Sequence, residues 1–134
     1  MKRVLYIEDS ITLVKIVKTF LEDNGYNVTT VDNYEDAVKL IDENDYDVIV
    51  SDIILRGINK TGYDIVKYFR KNKSEETPVI VTSTRGGRGV VVASKMSGAN
   101  QFLQKPFNPE DLLKIIEEEI NKWKNISFAI YQIY

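Results

Sequence analysis

The 134-residue chain is expected to fold as an α/β protein, a doubly wound parallel sheet of five strands with helices on both faces. Three observations predict this. Short runs rich in β-branched and aliphatic residues recur along the chain, bounded by turn-forming or polar residues. Each is followed by a segment whose apolar residues repeat at spacings of three and four, the period of a helix lying on a sheet. Four of the runs also end on reactive polar groups: Glu8-Asp9, Asp52, Thr82-Ser83 and Lys105. Strand–helix alternation implies right-handed crossovers, which bring the carboxyl ends of the strands to one rim, where such folds place their sites.

In chain order, Lys2 to Ile7 is an apolar run stopped by Glu8-Asp9. Ser10 can cap a helix carrying Ile11, Val14, Val17 and Leu21, which Asn24-Gly25 closes. Tyr26 to Val31 reads as the second strand. Asp32 or Asn33 caps a helix with Ala37, Leu40 and Ile41 inward, fraying at Asp42 to Asn44. Tyr46 to Asp52 is the third strand; its small and β-branched residues suit burial on both faces, and an acid at its end belongs at a rim rather than inside. A loop from Ile53 to Thr61 leads to a helix from Gly62 to Lys71 with Ile65, Val66 and Phe69 inward. Pro78 to Thr82 is the fourth strand, Thr84 to Gly89 a loop with three glycines, and Val90 to Ser97 a helix ended by Gly98. Gln101 to Gln104 is the fifth strand. Asn108-Pro109-Glu110-Asp111 then starts a helix with cap, proline and acids in their favoured places, buried through Leu112, Leu113, Ile116, Ile120 and Trp123.

Residues 1–125 are read as one domain and 126–134 as a separate tail. That tail, Ile-Ser-Phe-Ala-Ile-Tyr-Gln-Ile-Tyr, has no charge and does not fit five βα units. An added strand, a helix extension, a partner-binding segment, the start of another domain and a cloning remnant all remain open.

Composition excludes several kinds of chemistry. The chain has no cysteine, hence no disulfide, thiolate metal site or thiol nucleophile. It has no histidine, which removes the commonest general base and transition-metal ligand. A net charge of −2 gives no electrostatic reason for direct binding to nucleic acid or an anionic membrane. The Val4 to Ile7 run is too short for a signal peptide, and no run approaches a membrane span, so the cytoplasm is the default location.

What remains is hard-cation chemistry on carboxylates. Glu8, Asp9 and Asp52 converging at one rim would repel one another unless a cation intervened, and an oxygen-only donor set points to Mg²⁺. Lys105 adds an ammonium and Thr82 a hydroxyl. That set suits an incoming phosphoryl group, with a carboxylate as nucleophile. Taken singly the residues have plainer readings: acids at a helix start, a loop aspartate, a surface lysine, a strand threonine, a core phenylalanine. Their joint placement at successive strand ends favours the site.

On these residues the sequence resembles the receiver domain of two-component response regulators over about residues 2–124. The markers are Glu8-Asp9, Asp52 after an apolar strand, Thr82 after Pro-Val-Ile-Val, and Gly98-Ala99 through Phe102-Leu103-Gln104-Lys105-Pro106-Phe107. The resemblance implies a flavodoxin-like fold of strand order 2-1-3-4-5. It also implies a signalling switch that catalyses only its own phosphotransfer and dephosphorylation. Asp52 would accept the phosphoryl group from a sensor histidine kinase or phosphotransfer protein. Asp9, Asp52 and the backbone carbonyl of Ile54 would hold Mg²⁺, with Glu8 acting through water. Lys105 would pair with phosphoryl oxygens, Thr82 and Phe102 would move on phosphorylation, and the peptide before Pro106 would be cis. The altered surface would be that of the fourth helix, fifth strand and fifth helix.

This chain departs from the family pattern after Asp52. Many receivers have proline four positions after the acceptor and glycine four further on; here those positions hold Arg56 and Lys60, and the matching glycine is Gly62. The loop therefore reads as two residues longer. Arg56 reads as a solvated surface charge, with contact to the phosphoryl group as the weaker alternative, and the Thr84 to Gly89 glycines as freedom for Thr82 to move, with an anion-binding nest as the weaker alternative. Family hydrolysis rates depend on the positions two after the acceptor and two after the threonine, here Ile54 and Thr84; Ile54 is expected to slow loss of the phosphoryl group. Two other readings stay in view. One is a phosphorylation-independent interaction or dimerisation module using the tail or the last helix. The other is a flavin or nucleotide enzyme, for which the acidic first loop is a poor phosphate cradle.

Overall fold

The structure is a computed structural model that describes residues 1–57 and 59–133, with backbone alone described at 123–131 and 133. Five strands, β1 (Lys2–Ile7), β2 (Tyr26–Val31), β3 (Val48–Asp52), β4 (Val79–Ser83) and β5 (Gln101–Gln104), form one parallel sheet in the order β2-β1-β3-β4-β5. Helices α1 (Ile11–Asp23), α2 (Tyr34–Glu43), α3 (Gly62–Asn72), α4 (Arg88–Ser97) and α5 (Pro109–Ile133) alternate with them. Fold class and strand order are those expected.

Side chains alternate along each strand, so one sequence serves two cores. Leu5, Ile7, Ile49, Val79 and Val81 face one way and meet Ala37, Ile41, Ile65, Val66 and Phe69 of α2 and α3. Val4, Tyr6, Val48, Val50 and Ile80 face the other way and meet Val17, Leu21, Leu112 and Ile116 of α1 and α5. Each fully buried aliphatic side chain contributes roughly 1.5–3 kcal/mol, so truncating Ile49 to alanine would cost about 2–5 kcal/mol.

Local signals set the ends of the elements. The Ser10 hydroxyl accepts from the Leu13 N–H at 3.3 Å, and Asn33 Oδ1 from the Asp36 N–H at 2.9 Å, which assigns the cap of α2 to Asn33. Gly98, at φ +112°, closes α4 in the left-handed region, where a side chain would be strained and would also press on Arg70.

Several expected boundaries shift. The third strand begins at Val48, because the carboxylate of Asp47 is engaged by the Arg3 N–H at 2.7 Å outside the regular strand. The fourth runs Val79–Ser83 instead of Pro78–Thr82, and α4 starts two residues early, at Arg88. The second helix keeps its form to Glu43. The tail set apart from residue 126 continues α5 as helix to Ile133; the side chain of Trp123 and residue 134 lie outside the described ones.

Helix α4 is the least apolar on its inner face, burying Ser94 and Ser97. Their hydroxyls return to the helix, Ser94 to the Val90 carbonyl at 2.7 Å and Ser97 to the Ser94 carbonyl at 2.6 Å. Its far end is tied down by Arg70, which donates to Gly98 O at 2.9 Å, Thr77 O at 2.6 Å, Ser74 O at 3.2 Å and Asn100 Oδ1 at 2.8 Å.

Candidate functional site

The site is assembled where the strands stop. β1 ends at Ile7, and the chain turns through Glu8-Asp9-Ser10 into α1. Glu8 is 1% exposed. Its Oε2 accepts the N–H groups of Asp9 at 3.0 Å and Ser10 at 3.1 Å, donors left free at the helix start. Its Oε1 accepts from Lys105 Nζ. The same ammonium lies 3.0 Å from Asp52 Oδ2. Lys105 directly follows β5, and its N–H bonds the Ser83 carbonyl at 2.8 Å, which fixes where its side chain starts.

Glu8, Asp9 and Asp52 each offer a carboxylate oxygen within 4.8 Å of the others. Three carboxylates against one ammonium leave two negative charges in a largely buried cluster. Burial, helped by the nearby charge of Asp52, pushes the Glu8 carboxyl up; the hydrogen bonds from Lys105 and Ser10 pull it back only in part. Burial pulls the Lys105 ammonium down, but hydrogen bonds to Glu8 and Asp52 outweigh it and raise the net value. Tyr6, beneath the cluster, is held far above the ordinary phenol range by burial and then by the charges of Glu8 and Asp52. The donor set is all oxygen and carries excess negative charge, so it fits a hard divalent cation that keeps several waters. Beside it, a cleft of about 420 Å³ runs between Glu8, Asp9, Lys15, Asp32 and Asp36.

Thr82 pairs in register with Asp52 across β4 and β3 and is fully buried. Among the described residues its Oγ1 has no hydrogen-bond partner. Phe102 lies in register with Val81 and is half-buried against the α2–α3 side of the core. The Lys105–Pro106 peptide is cis. Ile54, just beyond the end of β3, is 56% exposed.

The loop after Asp52 is hydrogen-bonded at its base. Ile53 N–H donates to the Thr82 carbonyl at 2.9 Å, Gly62 N–H to the Ile53 carbonyl at 2.7 Å, and Ile54 bridges Thr61. Arg56 bridges Asn33 through the backbone and remains exposed, as expected of a surface arginine. Gly62 packs against Asp52 so closely that a Cβ there would lie 2.2 Å from the Asp52 carbonyl oxygen. Sequence reasoning had passed over Ser51, whose buried hydroxyl donates to that same carbonyl at 2.9 Å; one serine in an apolar strand was its only signal.

Known proteins share this fold. Residues 4–117 match the family described as response regulator receiver domain. The response regulator SaeR of Staphylococcus aureus is 32% identical over 124 residues, covering 92% of this chain and 53% of its own length, so the chain spans about half of that relative. The chemotaxis response regulator CheY4 of Vibrio cholerae superposes with a TM-score of 0.82 at 33% identity, over 89% of this chain and 98% of that one. The receiver domain of the Francisella response regulator 1452 gives 0.83 at 29% identity, over 91% and 98%. With the rim of carboxylates, lysine and threonine carried on the same five-stranded sheet, the chain belongs to the receiver domain family of the response regulators of two-component systems.

Proposed function

We propose that Asp52 is the phosphoacceptor of a two-component phosphorelay, taking a phosphoryl group from a phosphohistidine on a sensor kinase or phosphotransfer protein in the cytoplasm. The observation that carries this reading is the Lys105 ammonium, 3.0 Å from Asp52, among three clustered carboxylates. A carboxylate oxygen of Asp52 attacks phosphorus. The P–O bond forms as the P–N bond breaks, and the departing imidazole nitrogen keeps the electron pair and takes up a proton. The nucleophile is a carboxylate oxygen rather than a hydroxyl, so no general base is required of a chain without histidine.

Asp9, Asp52 and the Ile54 carbonyl would hold Mg²⁺, and Glu8 would act through water, because its two oxygens are engaged by Lys105 and by backbone N–H groups. The ion, when bound, offsets charge on the carboxylates and the phosphoryl oxygens. Lys105 keeps Asp52 oriented and then pairs with a phosphoryl oxygen. The Thr82 hydroxyl supplies a further donor, and Phe102 follows it, changing the α4/β5/α5 surface. The phosphoryl group adds about 1.5–2 negative charges, enough to bias such a two-state element. Among the described residues no helix is long and apolar enough to cross a membrane.

The test is incubation with acetyl phosphate and Mg²⁺ followed by intact-mass measurement. A gain of about 80 Da, one phosphoryl group, is expected for the wild type and none for Asp52→Asn. A wild-type chain that stays unmodified while a control receiver reacts overturns the reading.

A further inference from the structure

The phosphoacceptor is held through its own backbone as well as through its side chain. Ser51 is fully buried in β3 between Val50 and Asp52, and its register neighbours Ile7 and Val81 are both apolar. A buried hydroxyl there is costly unless it makes a hydrogen bond. It makes one, to the carbonyl of the residue that follows, Asp52. Gly62 stands against the same carbonyl oxygen, with no room for even a methyl group. On the far side of the peptide, Ile53 N–H is taken by the Thr82 carbonyl. The Asp52–Ile53 peptide is thus fixed at its oxygen by Ser51 and Gly62 and at its nitrogen by Thr82.

We infer that Ser51 is a positioning residue for phosphotransfer: its hydroxyl orients the Asp52–Ile53 peptide and so aims the Asp52 carboxylate at Lys105 and the cation site. This rests on the phosphoacceptor reading above. Asp52 is 6% exposed, so its carbonyl has little water to turn to once the hydroxyl is removed. The peptide then tilts in search of a donor, and the Cα carrying the nucleophile moves with it. A displacement near 1 Å is enough to slow a positioned reaction by up to about 100-fold. Ser51 touches neither the phosphoryl group nor the metal; it acts only through the backbone of Asp52.

The experiment compares Ser51→Ala, Ser51→Cys and Ser51→Thr in the full chain. Phosphorylation rate with acetyl phosphate at saturating Mg²⁺, Mg²⁺ affinity by calorimetry, and the urea unfolding midpoint are each measured. Alanine and cysteine, which lack a strong donor, should slow phosphorylation by about five- to tenfold and weaken Mg²⁺ binding by about threefold. Threonine, which keeps the hydroxyl, should restore both to within about twofold of wild type. Wild-type rate and affinity in Ser51→Ala overturn the inference. So does a threonine variant as slow as alanine, or slowing that merely tracks lost stability across the three. A wild-type chain that is not phosphorylated defeats the phosphoacceptor reading itself, and calorimetry then still reports on the aim of the carboxylate.

Discussion

Asp52 and Thr82 are register partners on adjacent strands, yet Asp52 is tied to Lys105 while the buried Thr82 hydroxyl has no hydrogen-bond partner among the described residues. A phosphoryl oxygen beside the site would give the Thr82 hydroxyl an acceptor. Removing the hydroxyl should not harm the resting fold. Thr82→Val is expected to leave its stability unchanged or to raise it by up to about 1 kcal/mol. The extra stability gained with beryllofluoride, a phosphoryl mimic, should shrink in the variant. Urea unfolding with and without the mimic checks both, and a variant as responsive as wild type removes Thr82 from the switch.

Glu8 makes stability depend on pH in a definite direction. Burial holds its carboxyl above the ordinary value of 4.5, so the folded chain keeps that proton more tightly than the unfolded chain does. Its contribution is full below the ordinary value and is lost as pH climbs through the raised one. In EDTA, unfolding free energy should decline as pH rises above about 4.5, and Glu8→Gln should flatten the decline. An unchanged slope in Glu8→Gln rules the explanation out. Lys105 works at the other end of the scale: its raised value keeps its contribution complete below 10.5, with loss only at higher pH.

Arg70 is the chief tie between α3, the start of β4 and the end of α4. Arg70→Met leaves the carbonyls of Gly98 and Thr77 and the Asn100 amide oxygen without this donor. The expected loss is about 2 kcal/mol, moderated because Arg70 is only half-buried. Arg70→Lys should recover less than half, since one ammonium cannot reproduce the guanidinium fork. Urea denaturation measures both; full rescue by lysine would mean that charge, not geometry, is what matters.

Ile54 sits exposed two residues after Asp52, the proposed acceptor, and offers no polar group to orient a water. Ile54→Asn should shorten the lifetime of the phosphorylated chain by several-fold, followed as decay of the added mass after removal of the phosphodonor. No acceleration sinks the shielding role.

The sheet, its order and the five rim residues were legible because they depend on periodicity and on the end of each strand, both properties of consecutive residues. Asp52, Lys105 and Glu8 could be placed together from topology alone. What the sequence hid were contacts made by the backbone. Arg70 looked like any charge near a helix end, because its acceptors are carbonyls, and every residue carries one of those. Ser51 looked like a neutral filler in a strand, because its partner is a main-chain oxygen. The start of β3 was misjudged because Tyr46 and Asp47 have strand-like neighbours, while Asp47 is engaged by Arg3, a long-range contact that no local pattern reveals. The fate of residues 126–133 was open because an apolar, uncharged segment is compatible with either helix or strand.

The loop after Asp52 is closed at its base by Gly62 N–H on the Ile53 carbonyl and by the Ile54–Thr61 bridge. These ties separate the acceptor from whatever happens at the loop's tip. Lengthening a loop of this size by two residues costs only about 0.2 kcal/mol in closure entropy, well below the energy of thermal motion. The base is expected to act as an expansion joint: residues added or replaced beyond it should leave the Asp52 carboxylate where Lys105 holds it. A chain built this way can diversify the surface around its reactive aspartate without re-solving the chemistry each time.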